Sequence, residues 1–478
     1  MIMGFNMKKE HLKNIALVLL VAMNLLLGSN ILFDKKLWPS GYNFFNSEYF
    51  PILRLFEKKA KADKNTIERA VHLTMPEKII FNTGDQSTRF SVNSDNDEYT
   101  KIIENCEDVF TAAMLCSDER IAEVESEEWF SALMTKSVYL SYYTEYETGL
   151  FANFLGLRET SLSQRVNTFS NVVISLSDNV SVYFEDSSTK KYYRIRTGNR
   201  FEDFKNVTEQ FVTTQSAENS NQSTINYSFD LNFDKSFGTQ KTIIASMVPI
   251  YSNTRIEPVV NSKNVLLNDG KFDNGTINKI VRIFGVNSNT ARRYTEADGT
   301  VVFVENNATL KLHVDGVVEY KARGNGISLD EMSGGYSISK LNEFVSSVND
   351  AAGADENIYL SSKAVYGEQN ITFDYVCAGM PVKINMPNTE NAVSCLIEDG
   401  YIKEYKHVLR DYVRTGEYAD TPEYITAVDD TIQKYSAMTG TVTINKLYLA
   451  YTDNGSDGAL SADWCADVEA VIAGSEEE

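Results

Sequence analysis

Leu312-His313-Val314-Asp315-Gly316-Val317-Val318-Glu319-Tyr320-Lys321 and Leu396-Ile397-Glu398-Asp399-Gly400-Tyr401-Ile402-Lys403-Glu404-Tyr405-Lys406 are two versions of one phrase. Each runs an apolar strand into Asp-Gly, then a branched apolar residue and Glu-Tyr-Lys. The second copy carries one extra residue. Asp-Gly between apolar segments signals a hairpin, because both residues tolerate positive φ. A helical pattern precedes each copy, at residues 277–284 and 339–348, with several strands between. Self-similarity on this scale reads as duplicated modules. The plainer alternative is two ordinary hairpins with Asp-Gly turns.

Outward from the repeat, the rest of the body follows the same mixed grammar. Residues 78–82 and 89–93 read as short strands. Residues 95–115 have helical spacing, with Ile102, Ile103, Val109, Phe110 and Met114 as apolar positions. Residues 127–134 read as a second helix. Strands follow at 137–143, 172–176, 180–185 and 192–196, then a helix at 200–212. A Ser/Thr/Asn/Gln-rich stretch at 213–228 and a glycine-rich stretch at 324–336 read as linkers. The organisation expected is an N-terminal domain at 37–223, a central domain at 229–325 and a C-terminal domain at 337–478. Beyond the second copy the expectation is a long polar helix at 401–412, a helix at 422–436 and a strand at 442–451. Helices mixed with antiparallel strands make the fold class α+β.

One apolar run precedes the body. Residues 12–33 are almost all apolar, and about 20 such residues in a helix match the hydrocarbon thickness of a bilayer. The expected arrangement is a cytoplasmic N-terminus at 1–11, a single transmembrane helix at 12–33 and an extracytoplasmic body. Lys8, Lys9 and Lys13 keep the short flank inside. The rival is a cleaved signal peptide, whose apolar core is usually shorter, about 7–15 residues. Ile31, Leu32 and Phe33 extend this run past any small-residue cleavage site. Asn24 and Gly28 lie four apart and share a helix face. An amide in hydrocarbon seeks a partner and glycine permits close approach, so that face reads either as a contact for another helix or as a passive anchor.

The 478 residues carry a net charge of −21. Residues 1–36 hold five lysines against Glu10 and Asp34, a net +3, which leaves −24 on the remainder. Such a body repels nucleic acid, so no nucleic-acid partner is expected. Five cysteines are too few for a disulfide framework. Cys377 and Cys395 fall on neighbouring strands, which leaves a bond between them open. Cys106 and Cys116 sit within or at the end of one helix, too far apart along it to pair. Cys465 has no evident partner.

Catalytic signatures are sparse. His72, His313 and His407 have no second His or Cys at ligand spacing, with His313 on a strand and His407 on the expected polar helix. No HExxH, paired CxxC, GxSxG or P-loop occurs. Asp453-Asn454-Gly455-Ser456-Asp457-Gly458 resembles a calcium loop on the surface, but Trp464 stands where a bidentate Glu belongs, and a turn is the better reading. Glu123, Glu125, Glu127 and Glu128 are explained as acidic residues opening a helix. No catalytic residue, cofactor or metal is expected.

Several segments resemble the YycH family: the Lys-Lys-Glu-His-Leu-Lys-Asn start of the anchor, the strand 76–82, the stretch 129–143, and the middle with Ile283-Phe284-Gly285, Asp298-Gly299 and Glu319-Tyr320. The tail is also similar to the related YycI proteins, through Asp399-Gly400-Tyr401-Ile402, the strand 447–451 and Ala462-Asp463-Trp464. The resemblance implies a single-pass cell-membrane protein of Gram-positive bacteria with an extracytoplasmic body. It implies a distinctive N-terminal domain followed by YycI-like domains. It also implies a non-catalytic regulator of a WalK-type (YycG) sensor histidine kinase of a two-component system controlling cell-wall metabolism, with a YycI-like membrane protein as a second partner. The helix face for those partners would be Leu17, Leu20, Asn24, Leu27, Gly28 and Ile31, which follow the spacing of a helix seam. The competing readings are an extracytoplasmic enzyme acting on the cell wall and a ligand-binding sensor module; a deep pocket lined by aromatic residues would favour the latter.

Overall fold

The computed structural model describes residues 72–472 apart from 86–88, 158–159, 218–224, 232–233, 238–239, 246, 252–254, 289, 330–336, 355–356 and 438. The apolar run 12–33, with Leu17, Leu20, Asn24, Leu27, Gly28 and Ile31, lies outside the described residues. Among the described residues no helix is long and apolar enough to cross a membrane. The fold is α+β with mostly antiparallel sheets.

The first part comprises β1 (Pro76–Thr83), β2 (Arg89–Val92), α1 (Tyr99–Met114), β3 (Ile121–Val124), α2 (Ser126–Leu133), β4 (Lys136–Glu147), α3 (Thr148–Phe154), β5 (Thr168–Ser175), β6 (Ser181–Asp186), β7 (Lys191–Arg196) and α4 (Glu202–Ala217). The strands form an antiparallel sheet in the order β2-β1-β4-β5-β6-β7-β3. α1 forms where apolar residues recur at helical spacing, and it buries Ile102, Ile103, Cys106, Val109, Phe110 and Ala113 on one stripe. That stripe joins the core with Val138, Leu140, Val172, Ile174 and Phe184. α4 covers the same face, its Phe211 ring 4.7 Å from Phe81. The opposite face receives α2, whose Trp129 and Leu133 cluster with Ile80, Tyr139 and Val173. α4 runs five residues into the expected linker. Thr213, Thr214 and Ser216 each turn a hydroxyl back to the carbonyl four residues earlier, which keeps these polar side chains compatible with helix.

The second part runs β8 (Ile225–Tyr227), α5 (Ser228–Leu231), β9 (Asp234–Phe237), β10 (Gln240–Ile244), β11 (Pro249–Tyr251), β12 (Ile256–Asn264), β13 (Leu267–Asn268), β14 (Lys271–Phe272), α6 (Asn274–Ile283), β15 (Arg292–Thr295), β16 (Val301–Val304), β17 (Ala308–Leu312), β18 (Val317–Ala322) and β19 (Ile327–Ser328). It continues through α7 (Ser337–Ala352), β20 (Asn357–Leu360), β21 (Asn370–Cys377), β22 (Met380–Ile384), β23 (Val393–Glu398), β24 (Tyr401–Val408), β25 (Arg410–Asp420), α8 (Tyr424–Lys434), β26 (Gly440–Asp453), β27 (Gly458–Leu460) and β28 (Asp463–Ile472). One sheet gathers most of these strands along β15-β16-β17-β18-β24-β23-β21-β22-β26-β10-β9.

The two quoted phrases are the hairpins β17–β18 and β23–β24, and they lie side by side. β18 pairs antiparallel with β24 so that Glu319 faces Lys406, Tyr320 faces Tyr405 and Lys321 faces Glu404. Each Glu-Tyr-Lys meets the other head to tail, about a local two-fold at the tyrosines. Outward from that line the pairing runs β18-β17-β16-β15 on one side and β24-β23-β21-β20 on the other. Each set of four follows its own helix, α6 or α7. Phe284, just after α6, lies 5.3 Å from Tyr320, 5.4 Å from Phe344 of α7 and 5.4 Å from Tyr405. The Asp-Gly turns differ in detail. Asp399 and Gly400 both have positive φ, as a two-residue primed turn requires, whereas only Gly316 does in the first hairpin.

One expectation is corrected here and one open alternative is closed. Residues 401–412 are not a helix but β24 and the start of β25. Ile402, Tyr405 and His407 face inward between the pairings to β18 and β23, Lys403, Glu404 and Lys406 keep contact with solvent, and Arg410 of β25 is buried. His407 is accordingly buried in a strand. Cys377 and Cys395 do not pair. Cys395 lies opposite Ile371 on β21, which puts Cys377 six residues, roughly 20 Å, further along that strand. All five cysteines are free.

Candidate ligand cleft

β4 decides the site by its two-residue period. Val138 and Leu140 turn toward α1, and the alternate residues Tyr139, Ser141 and Tyr143 turn to the other face. Neighbouring strands add Asn171, Glu185 and Tyr192 to that face. β26 and β28 approach it with Asn445, Lys446, Asp467 and Glu469, and Ala245, Met247, Val248 and Pro249 close one end. Together they bound a cavity of about 730 Å³.

Aromatic packing fixes its walls. Tyr143 stacks on Tyr359 with ring centroids 3.9 Å apart. The Tyr192 ring lies 5.4 Å from Trp129. The Tyr139 hydroxyl donates to Asn171 Oδ1 at 2.8 Å. Lys446 ties the two sides together: its Nζ donates to the Tyr142 carbonyl at 3.3 Å and forms an ion pair with the buried Glu77 of β1. Lys363 reaches Glu145 at 2.9 Å, and Lys190 lies 3.9 Å from Glu185.

The two glutamates are pulled in opposite directions. Burial pushes Glu185 up, with Lys190 opposing and Asp186 adding to the rise. Burial acts on Glu145 too, but hydrogen bonds from Thr168 and Lys363 outweigh it and hold the carboxyl below its ordinary value. The charge of Lys190 bears on both. Four carboxylates and three ammonium groups line the cavity, so its walls offer donors and acceptors of both signs. Tyrosine faces beside such groups suit a ligand rich in hydroxyls and amides. None of the lining residues is a histidine or cysteine.

Other residues singled out in the sequence do not converge. Glu123 pairs with Lys191 at 2.9 Å and Glu128 with Arg194, while Glu127 accepts from the Ser126 hydroxyl at 3.3 Å. His313 sits between Thr300 and Glu319 at 3.3 Å from each. The loop 453–458 wraps a guanidinium. Arg410, wholly buried, donates to Asp453 Oδ2 at 2.9 Å and to the carbonyls of Gly455 and Ser456 at 3.1 and 2.8 Å. Tyr412 and Ser262 complete the shell around Asp453 at 2.9 and 2.7 Å. Among the described residues no group of His, Cys, Asp and Glu is arranged to hold a metal ion.

The alternation of Tyr139, Ser141 and Tyr143 was visible in the sequence as a half-buried strand. Its opposing wall was not, because Lys446 and Asp467 are more than 300 residues away. Comparison with protein-family models and with curated proteins finds no match to the chain, so the resemblance to the YycH family stands on the short motifs quoted above.

Proposed function

We propose that the chain is a membrane-anchored, non-catalytic extracytoplasmic regulator of a WalK-type sensor histidine kinase controlling cell-wall metabolism. It acts through its helix at 12–33 and through its body, beside a YycI-like partner. The observation that supports this reading is the order of units. A seven-stranded N-terminal sheet precedes two sets of one helix and four strands, joined along their Glu-Tyr-Lys motifs. That order fits the N-terminal domain and YycI-like domains that the resemblance implies, with the last two being copies. Such a body biases a kinase between two states by contacting them unequally.

The test is co-purification of the full chain from membranes, with and without Asn24→Leu, followed by identification of partners. The kinase is expected with the wild-type chain and at least severalfold less of it with the variant. Absence of any kinase from the wild-type sample counts against the regulator. Equal recovery with an unrelated anchor in place of 12–33 counts against the helix face.

A second reading has its own observation. The tyrosine-lined cleft of about 730 Å³ favours a ligand-binding sensor module. Titration of the full chain with soluble wall fragments, read by Trp129 emission beside Tyr192, tests it. Saturable change lost in Tyr192→Ala supports a sensor; no change with any fragment refutes it for that ligand class.

A further inference from the structure

At the β3 edge, the face of the N-terminal sheet that carries α2 gathers arginines. Arg194 on β7 lies opposite Ala122 of β3 and Tyr183 of β6, and Arg196 lies opposite Ser181 of β6. Directly paired residues and residues two apart on a strand share a face. Arg194, Arg196, Ala122 and Ser181 therefore stand together, and Arg120 joins them from the turn before β3. Because Ala122, Ser181 and Gly198 are small, a hollow of about 670 Å³ remains between the guanidinium groups.

The arginines are placed, not merely near. Arg120 Nη1 donates to the Thr197 carbonyl at 2.9 Å. A Cβ at Gly198, where φ is +76°, would come within 2.5 Å of that Nη1, so glycine makes the seat available. Glu128 holds Arg194 by Nη1. Arg196 is exposed and has no ion pair among the described residues. Glu119 and Asp178 also line the hollow, and among the described residues neither forms an ion pair with the three arginines. Glu128 neutralises Arg194, whereas Arg120 and Arg196 have no ion pair among the described residues and their cations repel each other. An oxyanion between them removes that repulsion. The planar guanidinium fork matches phosphate oxygens better than an ammonium does.

We propose that this hollow binds a phosphate or phosphodiester group, gripped by Arg120 and Arg196 with Arg194 completing the rim. The hollow shares a sheet face with the tyrosine cleft, Arg194 standing two residues from Tyr192 on β7, but none of the three arginines lines the cleft and the proposal does not depend on the regulator reading. The full chain in maltoside detergent is titrated calorimetrically at low salt with inorganic phosphate and with glycerophosphoglycerol, an acyl-free lipid headgroup. Saturable binding of either is expected, at least tenfold weaker in the Arg120→Ala/Arg196→Ala double variant. Arg196→Lys alone retains part of it, and Lys263→Ala on β12 leaves it unchanged. Circular dichroism checks that each variant is folded. Preference for inorganic phosphate assigns a free phosphate; preference for the diester assigns a headgroup or polymer linkage. Binding of neither probe, or undiminished binding by the folded double variant, overturns the proposal.

Discussion

His407 makes the chain acid-sensitive by a calculable amount. Its ring is completely buried between two tyrosines. The Tyr375 hydroxyl donates to the Val408 carbonyl at 2.7 Å, so its oxygen accepts from Nε2–H at 3.0 Å. Nδ1 then accepts from the Tyr405 hydroxyl at 2.8 Å. Both nitrogens are satisfied by the neutral ring. Burial pushes the imidazole pKa down from 6.5 to about 3. Between those values the unfolded chain binds a proton that the folded chain refuses, so stability is complete above pH 6.5 and falls as pH drops toward 3. At pH 5 the loss is about 1.5 pH steps of 1.36 kcal/mol, roughly 2 kcal/mol. His407→Gln keeps a donor and an acceptor and removes the titration. Urea unfolding of both proteins at pH 7 and pH 5, followed by circular dichroism, isolates the effect. Other groups contribute equally to both and cancel in the difference. The wild type is expected to lose about 2 kcal/mol more than the variant between the two pH values. Equal losses would refute the argument that this ring is buried neutral.

Further outcomes follow from other buried groups. Asp453→Asn strips the counter-charge from the fully buried Arg410 and should cost about 3–5 kcal/mol in urea unfolding. Asp457→Asn, on a side chain that is 58% exposed, should cost less than about 1 kcal/mol; comparable costs would sink the assignment of Asp453 as the essential partner. Lys446→Met leaves Glu77 buried without its cation and should destabilise the chain by about 1–3 kcal/mol, seen as a lower thermal midpoint. Thiol titration of the unreduced, denatured chain should count all five cysteines, and in the native chain Cys465 should react first because the other four are buried; a count of three would indicate a disulfide.

Some of this fold announces itself locally. α1 could be placed from Ile102, Ile103, Val109 and Phe110 because a helix closes its hydrogen bonds within four residues, so its period is written in adjacent sequence. The hairpins β17–β18 and β23–β24 were legible for the same reason: Asp-Gly and its flanks sit within one short window. Residues 401–412 failed because their state depends on two flanking strands. Without β18 and β23 alongside, Lys403, Glu404, Lys406 and Arg410 look like one face of a polar helix. The cleft failed for a related reason, since Lys363, Lys446 and Asp467 reach β4 only when the sheets assemble.

The sequence by itself determined the α+β class, the duplicated Glu-Tyr-Lys phrase and the acidic charge of the body, all of which are local or additive properties. Tertiary structure alone decided that the two phrases pair with each other, Glu319 to Lys406 and Lys321 to Glu404. It alone set a guanidinium inside the loop 453–458 and three arginines around one hollow. Strand pairing and ion burial join residues whose separation along the chain carries no record of their meeting, because the free energy that brings them together comes from burial and backbone pairing across the whole assembled sheet.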